Sequence, residues 1–127
     1  MTNYGSLKLI IFYAQLIIDV HQKHHSDKED FFKNTEYQYA ISMLLIQIGE
    51  LVNRLTKDFK EYFPTIPWEH MKSFRNRLAH QYGEIDEELT FQISTVDITR
   101  IHAQLVKIIS DFEEEFPKVV NMQEKKD

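Results

Sequence analysis

The sequence predicts an all-α fold, a single bundle of four to five helices. Only three glycines and three prolines occur in 127 residues, too few for the tight turns of a small β-protein. Apolar residues recur in steps of three and four through most of the chain, the signature of amphipathic helices. No strand-like alternation, internal repeat, glycine-rich phosphate loop or domain linker interrupts them. The length suits one domain with a single core, expected over residues 1–120, while the lysine-rich tail at 121–127 is expected to fray.

The first helix is marked by Leu7, Ile10, Ile11, Ala14, Ile17 and Ile18, with Leu9, Phe12, Tyr13, Leu16 and Val20 adding a second apolar face. A helix apolar nearly all round calls for a central position or a subunit interface. Residues 22–34 lose the period and read as a solvated connection. The second helix is expected to start at Thr35, with that residue as N-cap, and to run through Tyr37, Ile41, Leu44, Ile48, Leu51 and Leu55 to Phe59. Gly49 inside it costs roughly 1 kcal/mol against alanine, so a close helix–helix approach is expected there. Pro67 suits the first position of a third helix, whose apolar side is Trp68, Met71, Phe74 and Leu78 and whose natural stop is Gly83. A fourth segment opens near Asp86, with Glu87 and Glu88 well placed against the helix dipole. Its phase slips over Ser94 to Asp97, so Asp97 is read as the cap of a fifth helix carrying Ile98, Ile101, Leu105, Ile108, Phe112 and Phe116.

Composition removes several function classes. Without cysteine there are no disulfides, thiolate metal sites or thiol nucleophiles. The net charge of −5 argues against a surface that coats nucleic acid broadly, and leaves room only for a local basic cleft. The apolar run Leu7 to Val20 is broken by Lys8, Gln15 and Asp19 and is shorter than the roughly 20 residues of a membrane span. No small-residue cleavage site follows it, and a cytoplasmic protein is expected.

Chemistry is concentrated in residues 69–82, where Lys72, Arg75, Arg77, His70 and His80 make the most cation-capable stretch of an acidic chain. On an ideal helix Asn76 and His80 share a face, whereas Arg75 and His80 lie about 140° apart. One copy of the helix therefore does not easily aim both at the same bond; the long arginine stem, a helix end near His80, or a second copy facing it across a dimer cleft would close the gap. Taken alone, Arg75 and Arg77 read as surface residues with Glu69, Glu84 and Asp86 as available partners, and His80 reads as a structural histidine.

The spacing from Arg75 to His80 to Tyr82, with Asn76 after the arginine, resembles the motif of the HepT-like toxins of the HEPN superfamily. Ile48-Gly49-Glu50, the approach Phe63 to Trp68, and Tyr82 through Asp86 also look like that family, and the likeness spans roughly residues 35–110. Met43 and Leu44 stand where polar residues are common, and Thr99 where proline often begins the last helix. The segment 1–34 matches only in helical character. The resemblance implies a metal-independent, usually dimeric endoribonuclease with Arg75, Asn76 and His80 as catalytic residues, Lys72 and Arg77 as candidate RNA contacts, and no cofactor. It further implies a type VII-like toxin–antitoxin system. There an MntA-type nucleotidyltransferase antitoxin silences the toxin by placing AMP on Tyr82. The alternative is a catalytically silent helical companion of such a transferase, and a third reading is a purely structural dimerisation domain.

Outside this segment the pulls are weaker. His21 and His25 have the i, i+4 spacing of a metal pair, but their polar flanks, with His24 between them, favour a solvated helix end and no metal is expected. Glu50, Asn53, Arg54 and Lys57 form a polar stripe that is solvated by default, although Glu50 or Arg54 could line the cleft. Trp68 reads as a core anchor rather than a base-stacking platform.

Overall fold

The computed structural model describes residues 2–79 and 86–115. The helices are α1 (Asn3–Lys23), α2 (Lys28–Lys33), α3 (Thr35–Arg54), α4 (Lys57–Tyr62), α5 (Trp68–Ala79), α6 (Glu87–Gln92) and α7 (Ile98–Glu115), with a π-helical turn over Ile93–Asp97 joining α6 to α7. No strand occurs among the described residues, so the all-α expectation holds. The long helices pack in the order α5, α3, α1, α7, which gives α1 the central place its two apolar faces call for. Ile10 and Ile17 of α1, Ile41, Leu45 and Ile48 of α3, Met71 and Phe74 of α5, and Ile98 and Leu105 of α7 are fully buried in one core.

Two connections carry more structure than their sequence suggests. Residues 22–34 are not a plain solvated link. After α1, His25 and Ser26 both adopt left-handed backbone, and Asp27 then caps α2 by accepting from the Glu29 and Asp30 amides. α2 delivers Phe31 into the core at 0% exposure. A six-residue helix with one inward aromatic is too short to show a period. Likewise the second long helix stops at Arg54 rather than Phe59. Thr56 caps the separate helix α4 through its bond from the Phe59 amide, and it also exchanges bonds with Asn3 at the start of α1.

Caps account for the other corrections. Helix α3 does begin at Thr35, but the capping side chain is Asn34, which accepts from the Tyr37 amide. Pro67 lies just before α5, and its carbonyl accepts the Met71 amide. Asp86 caps α6 by accepting from Leu89. Asp97 caps nothing: α6 and α7 are continuous through the π-turn, in which one extra residue is accommodated without a break. Buried Ile93 and buried Ile98, five apart, show why the apolar phase slips there. The expected stop at Gly83 and the tail at 121–127 lie outside the described residues.

Candidate active site

The motif helix α5 is seated by the glycine that the sequence singles out. A Cβ on Gly49 would lie 3.2 Å from both the Arg75 amide nitrogen and the Met71 carbonyl oxygen, and 3.4 Å from the Lys72 carbonyl oxygen. The backbones of α3 and α5 therefore approach closely at this level, and a hydrogen in place of a methyl lets them do so without either helix shifting. Because Glu50 follows Gly49, its carboxylate stands beside the arginine of the motif. Arg75 Nε forms an ion pair with Glu50 Oε1, with 58% and 39% of the two side chains exposed. Of the partners suggested by sequence proximity, Glu84 lies outside the described residues; Arg75 pairs across helices with Glu50 rather than with Glu69, and Asp86 is used as a cap.

Wheel geometry explains where the remaining residues go. With His70 as origin and about 100° per residue, Phe74, Leu78 and Met71 fall at about 40°, about 80° and about 100°, a narrow buried stripe. Arg75 sits at its edge at about 140°, while Lys72 and Asn76 follow at about 200° and about 240° on the outer side. Arg77 falls at about 340°, on the His70 side. Lys72, Arg75, Asn76 and Arg77 are all exposed. The structure brings Arg75 together with Glu50, leaves Lys72 and Asn76 facing outward beside them, and directs Arg77 elsewhere. His80 and Tyr82 lie outside the described residues.

The trio of N-terminal histidines diverges. The helix ends at Lys23, so the i, i+4 relation of His21 and His25 is broken before His25. His21 is buried. Its Nε2 lies 2.8 Å from Ser94 Oγ in the π-turn, and its Nδ1 bonds to the Tyr37 hydroxyl. Ser94 Oγ donates to the Thr90 carbonyl, which makes it the acceptor from Nε2–H and makes Nδ1 the acceptor from Tyr37. Burial, assisted by neighbouring His24, lowers the His21 pKa to about 4, and burial with Asp30 and Asp27 nearby raises that of Tyr37 to about 12. His24 stacks on Tyr37 with ring centroids 3.9 Å apart and bonds to Asp30 at 2.8 Å. Among the described residues no group of three histidine or carboxylate side chains is placed to hold a metal.

A groove of about 930 Å³ is lined by Phe59, Tyr62, Phe63, Ile66, Ile108 and Phe112 with several polar neighbours, and none of the described motif residues borders it. Among the described residues, the candidate site is an exposed edge between α3 and α5.

A family model described as Ribonuclease HepT-like matches residues 10–108. The chain belongs to the HepT-like ribonuclease family. The match reaches into α1, well upstream of the residues that carry the motif resemblance. A "Putative RNase" of Methanocaldococcus jannaschii is 35% identical over 88 residues, covering 69% of this chain and 76% of that protein. A second "Putative RNase" of the same organism is 34% identical, covering 67% and 70% respectively. A "Probable ribonuclease HepT" of Thermococcus cleftensis is 31% identical over 63% of this chain and 73% of its own length. No solved structure gives a significant match. No helix among the described residues is long and apolar enough to cross a membrane.

Proposed function

We propose that this HepT-like protein is the toxin of a toxin–antitoxin pair, a metal-independent endoribonuclease whose site is completed by a second copy of the chain. The observation that carries the reading is the presentation of Arg75. It is fixed to an exposed edge by the α3–α5 backbone contact and held by a partly exposed carboxylate. Such an exposed ion pair is worth about 0–1 kcal/mol, so an incoming phosphate can displace Glu50 at little cost. The guanidinium then holds the scissile phosphate through its planar fork of donors. RNA supplies its own nucleophile: the 2′-hydroxyl attacks the adjacent phosphorus and the bond to the 5′-oxygen breaks. His80 of one copy takes the 2′-hydroxyl proton, and protonated His80 of the other gives a proton to the leaving oxygen. A histidine ordinarily titrates near ~6.5, so both forms are available at neutral pH. Asn76, on the outer side of α5 next to Arg75, orients the phosphate.

A second copy has a surface to meet. Tyr39, Met43, Ile46 and Glu50 stand at i, i+4, i+7 and i+11 on α3, one continuous face on which Tyr39 is 53% and Met43 58% exposed. This apolar stripe leads directly to the carboxylate that holds Arg75, so dimerisation through it sets two motif helices around one cleft. The antitoxin in this reading is an MntA-type nucleotidyltransferase that places AMP on Tyr82. There the added phosphates compete for Arg75 and repel RNA.

The test is cleavage of transfer RNA or messenger RNA by purified protein in EDTA. Fragments ending in a 2′,3′-cyclic phosphate are expected, and both Arg75→Ala and His80→Ala should abolish them. Cleavage that neither substitution changes would remove the site assignment. RNA or nucleotide binding without any cleavage would favour the silent companion. Incubation with ATP and the transferase should add AMP mass to wild type and not to Tyr82→Phe.

A further inference from the structure

The buried stripe of α5 is flanked by two polar ties rather than one. Arg75 is tied to α3 at one edge through Glu50. At the other edge, about 140° away, His70 Nε2 donates to Asp97 Oδ2 at 2.7 Å. The imidazole also meets the Phe74 ring edge-on at 5.1 Å between centroids. Asp97 closes the π-turn, whose residues are fastened independently of α5. Ser94 and Thr95 donate to the Thr90 and Phe91 carbonyls, and Ser94 also receives Nε2–H of His21 from α1. The extra residue of the turn therefore has a use: it aims a carboxylate from a clamped platform at the motif helix. π-Turns of this single-turn kind are frequent at functional sites.

We propose that Asp97 and His70 are a positioning pair that sets the roll of α5 about its axis and so fixes where Arg75 and Asn76 meet RNA. This rests on the ribonuclease reading above. An apolar stripe fixes roll poorly, because Met71, Phe74 and Leu78 present one curved ridge to the core. Two ties at its margins fix it well. The lever is large: a roll of about 10° moves a group about 6 Å from the axis by about 1 Å. A misplacement of that size can slow a reaction about 10²-fold. The pair is itself partly exposed, with 34% of His70 and 26% of Asp97 accessible, so its loss should leave the fold standing.

The experiment combines cleavage kinetics with the side-chain Nε–H resonance of Arg75, which belongs to one of only four arginines (Arg54, Arg75, Arg77 and Arg100) and is assigned with Arg75→Lys. Asp97→Ala and His70→Ala should each shift that resonance and lower kcat about tenfold or more with KM changed less than about twofold. The double variant should do no more than either single one. Asp97→Asn, whose side-chain carbonyl still accepts from His70, should stay within about threefold of wild type. A resonance unmoved in both alanine variants overturns the proposal, as does an unchanged kcat where Arg75→Ala is inactive. Should Arg75→Ala cleave normally, the ribonuclease site assignment fails instead, and the resonance alone decides whether the pair positions α5.

Discussion

Glu50 is the residue whose role was hardest to read from the chain and easiest to read from the fold. Twenty-five positions separate it from Arg75, and sequence proximity points to nearer carboxylates. The available clue was Gly49, since a helical glycine without a turn to make implies a neighbour pressed against it. Glu50→Gln removes a carboxylate that competes with phosphate, so RNA should bind about two- to fivefold more tightly in a filter or anisotropy titration, matching the modest worth of an exposed pair. Arg75→Lys should lose most cleavage, because an ammonium does not reproduce the planar fork. His21 offers a separate test through pH. Its folded pKa of about 4 lies below the ordinary ~6.5 of an unfolded chain. The stabilisation is therefore complete above pH ~6.5 and is lost as pH falls toward about 4, a change on the order of 3 kcal/mol. His102, whose pKa burial also lowers, acts in the same direction. Urea denaturation between pH 7 and 4.5 should show a steep decline in wild type and a flatter one in His21→Gln; equal slopes would mean that other groups dominate.

Among the helices, the long ones were legible because their apolar periods extend over many turns, as in Ile41, Leu45 and Ile48 or Ile101 and Leu105. The short ones were not. Helix α2 shows one inward aromatic, Phe31, and α4 buries no residue fully, so neither leaves a period to detect. The phase slip at Ser94 to Asp97 was visible, but sequence alone does not separate a break from a π-turn. The Ile93-to-Ile98 interval of five, with both residues buried, makes the distinction in the structure. At the candidate site, the close approach at Gly49 was legible, and the pairing of Arg75 with Glu50 across two helices was not. Gly49 tests that packing directly. In Gly49→Ala the methyl sits 3.2 Å from two backbone atoms of α5, and the helix-propensity gain of about 1 kcal/mol opposes the small displacement needed. Its melting temperature should stay within a few degrees of wild type. Gly49→Val leaves no such balance: overpacking of about 1–3 kcal/mol should lower the melting temperature and displace Arg75. A Gly49→Val protein as stable and as active as wild type would show that the close approach is not maintained in solution.

For the molecule as a whole, the proposed dimer would reconcile a net charge of −5 with an RNA site: two motif helices facing each other would concentrate cation where one chain is acidic overall. Met43→Glu places a charge in the exposed stripe of α3, 58% accessible in the isolated chain, and should convert the dimer to monomer in light scattering at micromolar concentration. Cleavage should fall with the dimer while the far-ultraviolet helical signal persists. A monomer that cleaves at the full rate would place the complete site within one chain. The junction that starts α5 has its own consequence for such measurements. Trp68 is the sole tryptophan of the chain, 7% exposed, and its indole N–H is shared between the Lys60 and Phe63 carbonyls at 3.0 Å each. The protein therefore carries a built-in optical gauge at the foot of its motif helix. Emission from this single fluorophore should redden when α4 detaches, without any label being attached.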